Sequence, residues 1–176
     1  MANSKKVLKT ADEGLGKGLR QELKKLIDGG QAHATFEDAV KELPAKLRGV
    51  ALEGLPYSAW QIVEHLRIAQ RDILDFSRNE DGSYKPRKWP QEYWPKQAEP
   101  PNAGAWSNTI KAIRTDRVEF EKLLKAASDD ELVKPFAWGD GQTLLREALL
   151  MADHMAYHVG ELIVLRRLLG AWKTSS

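Results

Sequence analysis

The sequence predicts an all-α protein, and a four-helix bundle is the favoured architecture. Four long segments repeat apolar residues at helical intervals, and no segment shows the alternation of a half-buried strand. Two of these segments begin with the spacing of a capping box, Thr10 with Glu13 and Ser58 with Gln61. The length of 176 residues suits a single domain spanning 1–176, with residues 1–10 as a loose N-terminal tail.

The first half of the chain is predicted to contain two long helices and a short one. Periodic leucines place the first long helix at about 11–28, before the glycine pair at 29–30. A short helix should run from Thr35 to about Leu43, because Pro44 cannot continue it. The second long helix is predicted at about 58–78 from its capping box and its apolar periodicity.

A segment rich in proline and aromatic residues, the Pro/Trp loop (residues 79–104), separates the second long helix from the third. It contains five prolines and four aromatic residues, including Trp89 and Trp94. A loop of this length is uncommon in a compact domain unless it is functional or disordered, and its aromatic content argues against disorder. We therefore expect it to cover one end of the bundle with its tryptophans packed against the helices.

The remaining chain supplies the last two long helices. The third is predicted at about 105–126, followed by a short capped turn that begins at Ser128. Glycines at 139 and 141 mark a break, and the fourth long helix should run from about Thr143 to Leu169, before Gly170.

Composition and charge exclude several functional classes. The net charge is only +2, and the basic and acidic residues are spread along the chain. The sequence therefore has no basic cluster that would bind nucleic acid or an anionic membrane. The absence of cysteine excludes disulfides, thiolate ligands and cysteine nucleophiles. The first residues lack the apolar core of a signal peptide, and no run approaches transmembrane length, so a cytoplasmic protein is expected.

Three of the four histidines occupy positions that suit a shared metal ion. His154 and His158 stand four residues apart, so on a helix both imidazoles lie on one face and can reach the same ion. His65 lies on a mostly apolar face of the second long helix. On this evidence alone, hydrogen-bonded core histidines and metal ligands remain equal alternatives. Two known metal-binding motifs are absent. Met155 replaces the glutamate that follows the first histidine of the zincin motif, and the Glu-x-x-His of ferritin-like di-iron sites does not occur at these histidines.

Three neutral imidazoles would suit zinc, nickel or ferrous iron and would leave a coordination position open for water or substrate. Each ligand should donate its other ring N–H to an acceptor, and Glu161 and Asp72 are the preferred acceptors because they share the ligands' helix faces. Glu64, Glu147 and Asp153 are further candidates. If the site is catalytic, Glu161, Asp72 or His33 could accept a proton, although His33 could equally be a plain loop residue.

Two stretches of the sequence resemble motifs of the DinB/YfiT-like superfamily. Residues 56–66, Pro-Tyr-Ser-Ala-Trp-Gln-Ile-Val-Glu-His-Leu, resemble its second-helix motif. Residues 153–161, Asp-His-Met-Ala-Tyr-His-Val-Gly-Glu, resemble its fourth-helix His-x-x-x-His motif, and residues 165–172 continue the likeness. The resemblance covers nearly the whole chain.

The resemblance implies an up-down-down-up four-helix bundle, often a homodimer, with a divalent metal ion held by His65, His154 and His158. Relatives of this kind include zinc-dependent enzymes that use low-molecular-weight thiols such as mycothiol and bacillithiol, and many others have no assigned activity. We therefore consider a metal-dependent enzyme of the thiol-dependent S-transferase or hydrolase type, acting on a small-molecule substrate. The alternative is a non-catalytic, stress-related metal-binding protein whose ion fixes the helix packing.

Overall fold

The structure, a computed structural model, describes residues 16–172 as a set of helices. We number them α1 (described from residue 16 to 28), α2 (Phe36–Val40), α3 (Ala59–Ser77), α4 (Ala105–Ala126), α5 (Asp129–Val133) and α6 (Leu144–Leu168), with a 3₁₀ turn at Ala45–Leu47. Residues 16–172 contain no β-strand, only an isolated antiparallel bridge between Pro135 and Thr143. The all-α prediction is confirmed. The predicted tail and the capping box at Thr10 lie outside the described residues.

Side-chain caps explain where the helices begin. The Ser58 hydroxyl accepts a hydrogen bond from the Gln61 backbone N–H at 3.2 Å, and the Gln61 side chain accepts one from the Ser58 backbone N–H at 3.1 Å. Thr143 caps α6 by accepting from the Arg146 backbone N–H at 3.1 Å. The predicted long helices at 58–78, 105–126 and 143–169 agree with α3, α4 and α6 to within about one residue at each end.

The prediction for α2 is wrong at its C-terminus. The helix ends at Val40 instead of Leu43, because Lys41 already has a non-helical backbone with ψ of 131°. Glu42 then has a positive φ of 55°, which a regular right-handed helix cannot contain. Proline at position 44 therefore follows a helix that has already stopped.

The helices pack around two clusters of buried apolar side chains, and α3 contacts both α4 and α6. The first cluster includes buried apolar residues from 59–66 of α3 and 159–165 of α6. The second includes buried apolar residues from 73–74 of α3 and 144–152 of α6. His65, His154 and His158 therefore lie where α3 and α6 pass from one cluster to the other. Polar side chains at such a junction need partners, because unpaired burial costs about 1–3 kcal/mol for each group.

Helix α6 is long and apolar enough to cross a membrane by length and composition alone. The expectation that no run approaches transmembrane length is therefore wrong for this segment. The core helix of a folded domain meets the same criterion, and α6 packs against α2, α3 and α5. It also carries the buried polar residues Glu147, His158 and Arg166, and the Arg166 guanidinium donates to the carbonyls of Ala39 and Ala171 at 2.7 Å.

Candidate metal centre

Three imidazoles from two helices converge to form the histidine cluster (His65, His154 and His158). Among residues 16–172, these side chains form the group of potential metal ligands whose nitrogen atoms all lie within 4.8 Å of one another. The Nε2 atoms of His65 and His154 are 3.0 Å apart. The ring centroids lie 4.6–4.9 Å apart in all three pairs, with the rings edge to face. The cluster thus has the shape of a nearly regular triangle.

Hydrogen bonds on the outside of the cluster fix which nitrogen carries the proton in two of the rings. His65 Nδ1 lies 2.9 Å from the backbone carbonyl oxygen of Tyr93, and a carbonyl can only accept. His158 Nδ1 donates to the Glu161 carboxylate at 2.6 Å. Both rings therefore carry the proton on Nδ1 and have a lone pair on Nε2. Arrangements of this kind orient histidines that ligate metals.

The protein environment keeps the cluster neutral. Burial, reinforced by the neighbouring imidazoles, lowers the pKa of His154 and of His158 from 6.5 to about 4. Burial also lowers the pKa of His65, although the Tyr93 carbonyl and the Glu161 charge partly oppose it. At neutral pH the lone pairs are therefore available without removal of protons, which favours metal binding.

The donor set of the cluster fits a divalent ion. Nitrogen ligands bind zinc at about 2.0–2.1 Å, so two of them on one ion can be at most about 4.2 Å apart. The 3.0 Å separation between the Nε2 atoms of His65 and His154 satisfies this limit. The inward nitrogens of His65 and His158 both carry lone pairs, so neither can donate a hydrogen bond to the other. A cation, in contrast, would accept both lone pairs. Imidazole nitrogen is a suitable ligand for zinc, nickel and iron.

The Pro/Trp loop covers the histidine cluster. The Trp94 ring stacks on His65 with centroids 3.8 Å apart and planes 2° apart, and it stacks on Tyr57 with centroids 3.6 Å apart. Trp94 is therefore sandwiched between these two rings. The expectation that the tryptophans pack against the helices holds for Trp94 but is wrong for Trp89, which is 67% exposed. The stack excludes water from one face of His65.

One face of α3 anchors the loop. The Ser58 hydroxyl donates to the Ala98 carbonyl at 2.5 Å, and the Gln61 amide donates to the Pro95 carbonyl at 3.1 Å. Two turns beyond His65 on the same face, Asp72 accepts hydrogen bonds from the Tyr93 hydroxyl at 2.6 Å and from the Tyr84 hydroxyl at 3.2 Å. The cap residue Ser58 therefore has a second role, since it also holds the loop against the helix.

The structure brings one of the proposed proton acceptors directly to the cluster. Glu161 contacts His158, and its side chain is 35% exposed. Asp72 does not contact a histidine, because the expected bond to His65 is made instead by the Tyr93 carbonyl. Nothing in the sequence indicated this acceptor, since a backbone carbonyl has no side-chain signature. The aromatic content of the loop indicated only that the loop would pack against the helices.

His33 lies away from the cluster. It is exposed, and its Nδ1 contacts only the neighbouring Ala34 carbonyl, at 3.0 Å. It lines a cavity of about 510 Å³ whose α6 wall includes Ala152, Ala156 and Val159. At 100° per residue, these positions lie on the side of α6 opposite His154. The connector between α1 and α2 therefore does not bring His33 to the three histidines.

The other acidic candidates have different partners. Glu64 binds Arg67 and Thr109, and Asp153 is exposed. Glu147 is only 2% exposed and pairs with Arg146, and its burial raises its pKa. Glu161 is thus the acidic side chain hydrogen-bonded to the cluster in residues 16–172.

Comparison with known proteins gives one match. The sequence profile of the DinB superfamily matches residues 30–162, a range that includes all three clustered histidines, Glu161 and the Pro/Trp loop. No curated protein and no solved structure matches the chain.

Proposed function

The chain belongs to the DinB superfamily, and on this premise we propose that it is a divalent-metal-binding protein whose ion is held by His65, His154 and His158. The observation that carries the proposal is the convergence of three neutral imidazoles, two of which, His65 and His158, have their outer N–H groups already bonded elsewhere. Zinc, nickel and ferrous iron all suit this donor set. Family membership also supports an up-down-down-up arrangement of α1, α3, α4 and α6, which we include in the proposal.

We further propose that the site is catalytic and acts by thiol-dependent S-transfer or by hydrolysis. Within residues 16–172, no fourth His, Asp or Glu joins the cluster, which supports an open coordination position. A divalent ion with an open position supplies Lewis acidity, which lowers the pKa of a thiol or water bound there. The proposed substrate is a small molecule used together with a low-molecular-weight thiol.

The protein's own residues have defined tasks in this proposal. Glu161 orients His158 through its Oε2 atom, and its carboxylate would also accept a proton from an approaching thiol or water. Burial raises the pKa of Glu161, which makes its carboxylate a better base near neutral pH. Trp94 and Tyr57 shield His65 from water on one side. A homodimer and a cytoplasmic location remain predictions from the sequence.

A structural role for the ion is the second candidate. The cluster joins α3 to α6 at the junction of the two apolar clusters, where an ion would fix the packing of both helices. The two candidates differ in the open coordination position. With cobalt as the bound ion, addition of small thiols should change the visible spectrum if a position is open. A spectrum that no thiol changes would favour the structural role.

Metal analysis tests the shared part of both candidates. Protein purified without an affinity-tag metal should contain about one divalent ion per chain. The variants His154→Ala and His158→Ala should lose it, since each removes one of three ligands. His33→Ala is the matched control, because it removes a histidine that lies outside the cluster, and it should keep the ion. Full metal content in both cluster variants would show that the ligand assignment is wrong.

A further inference from the structure

Tyr93 connects two residues of α3 that do not contact each other. Its backbone carbonyl accepts the hydrogen bond from His65 Nδ1 at 2.9 Å, and its hydroxyl donates to Asp72 Oδ2 at 2.6 Å. His65 and Asp72 lie seven residues apart, which is about 10 Å along one helix face. Tyr93 therefore spans two helical turns and is held at both ends.

Asp72 is the fixed end of this connection. Its side chain is only 13% exposed, and its recorded partners, the hydroxyls of Tyr84 and Tyr93 and the guanidinium of Arg87, all come from the Pro/Trp loop. Burial and the Asp72 charge raise the pKa of the Tyr93 hydroxyl, so this group keeps its proton and remains a donor. A buried carboxylate bonded in this way holds its partners through charge-assisted hydrogen bonds.

We propose that Asp72 is a positioning residue for the metal site, and that it acts through Tyr93 to fix the tautomer and orientation of His65. This inference rests on the proposed function for its effect on the ion. The bond from Asp72 holds the Tyr93 side chain, and the Tyr93 carbonyl then holds the proton of His65 on Nδ1. The lone pair of His65 thereby stays on Nε2, the atom that lies 3.0 Å from His154.

Loss of this connection would affect the site in two ways. Without a fixed acceptor, neutral His65 can carry its proton on Nε2, which blocks the atom that would bind the ion. Tyr93 also precedes Trp94, whose ring stacks on His65, so a displaced Tyr93 would loosen the stack. Removing the partner that orients a ligating histidine typically lowers metal affinity by about 10–100-fold.

Two tyrosines on the same loop provide a matched pair of variants. Tyr93→Phe and Tyr84→Phe each remove a hydroxyl that donates to Asp72. Only Tyr93 also supplies the backbone carbonyl that accepts from His65. In a titration with cobalt chloride, Tyr93→Phe should bind about tenfold more weakly than the wild type. Tyr84→Phe should change the affinity by less than about twofold. Equal affinities for the two variants would overturn the proposal.

Changes at Asp72 test the same connection from its other end. Asp72→Ala should weaken cobalt binding about as much as Tyr93→Phe. The double variant should bind cobalt no more weakly than either single variant, because both changes break the same hydrogen bond. Asp72→Asn keeps an oxygen that can accept from Tyr93 and should retain most of the affinity. If either Tyr93→Phe or Asp72→Ala fails to fold, as judged by circular dichroism, the other carries the test. A fully additive double variant would contradict the proposal.

Nitrogen-15 NMR of the metal-free protein provides a readout that does not depend on metal binding. The wild type should show His65 with its proton on Nδ1, and Tyr93→Phe should show a substantial fraction with the proton on Nε2. An unchanged tautomer in Tyr93→Phe would overturn the inference even if the affinity falls. A wild-type protein that binds no ion would refute the proposed function, while the NMR result would still decide the role of Asp72 and Tyr93.

Discussion

Helix α3 carries polar side chains toward two neighbours, and the two sets are paired differently. Toward α4, three donors each meet an acceptor. The Thr109 hydroxyl donates to Glu64 at 2.7 Å, the Gln70 amide donates to the Ile113 carbonyl at 2.6 Å, and the Arg71 guanidinium donates to Asp116 at 3.0 Å. Toward α6, His65 turns its Nε2 lone pair to a second imidazole nitrogen.

The difference separates polar groups that complete the fold from polar groups that need a ligand. The α3–α4 contacts satisfy one another, so their removal should change the stability of the protein and little else. In the α3–α6 cluster, His65 and His158 have their donors bonded outward, to Tyr93 and Glu161, and therefore keep their Nε2 lone pairs as acceptors. A cation completes such a set, so metal should affect the α3–α6 interface strongly and the α3–α4 interface little.

Metal removal should have the largest effect. An ion present at about a thousand times its dissociation constant stabilises the folded state by about 4 kcal/mol. For a chain of this size, that corresponds to a melting temperature about 10 °C higher than that of the metal-free protein. Differential scanning calorimetry with and without a chelator measures this change. The double variant His154→Ala/His158→Ala should show no difference between the two conditions, and a chelator effect of equal size in that variant would contradict the comparison.

Acidification of the metal-free protein should also have a large effect. The pKa values of His154 and His158 are about 4 in the folded protein, below the value of 6.5 expected for the unfolded chain. The unfolded chain therefore takes up these protons at higher pH, and stability falls as the pH drops from about 6.5 to about 4, then levels off with respect to these two groups. Urea unfolding across this range should show a smaller decline for the double histidine variant. Identical declines would contradict the pKa assignment.

A change at the α3–α4 interface should affect stability without affecting the site. Gln70 is 3% exposed and donates to the Ile113 carbonyl, so Gln70→Ala should lower the free energy of unfolding by about 1–2 kcal/mol. The dissociation constant for cobalt should change by less than about twofold. Chemical denaturation and a cobalt titration measure the two quantities. A tenfold loss of affinity would show that the two interfaces of α3 are coupled.

Of the variants that alter the metal site, Glu161→Gln should have the smallest effect on metal affinity. The amide oxygen of glutamine can still accept from His158 Nδ1, but the negative charge is lost. We expect metal affinity to fall by about tenfold or less, at the low end of the range for residues that orient ligands. If Glu161 also accepts a proton from the substrate, any thiol-dependent activity should fall by much more than the affinity. Equal losses of affinity and activity would leave Glu161 with an orienting role alone.

The sequence predicted the parts of this structure that depend on local patterns. The boundaries of α3 and α6 depend on caps such as Ser58 and Thr143 and on apolar periodicity, both of which are visible within a few residues. The pairing of His154 with His158 follows from helical geometry alone. For these reasons most of the helices, the pairing of His154 with His158 and the inward face of His65 could be predicted from the sequence.

The parts that escaped prediction depend on the path of connecting segments. The Tyr93 carbonyl and the Trp94 stack both come from the Pro/Trp loop, whose conformation has no periodic signature. The position of His33 depends in the same way on the connector between α1 and α2, which places it over the opposite side of α6. Asp72 was correctly placed on the face of His65, but its partner could be identified only once the loop was located.

X-ray absorption at the metal edge of the wild-type protein shows directly whether three histidines hold the ion. The sample would contain zinc at one ion per chain, with excess ion removed. We expect three imidazole nitrogens at about 2.0–2.1 Å, with any remaining ligand a light atom from solvent. A spectrum with no imidazole scattering, or with carboxylate oxygens in place of the histidines, would contradict it. Failure to retain zinc, nickel or iron would contradict it equally.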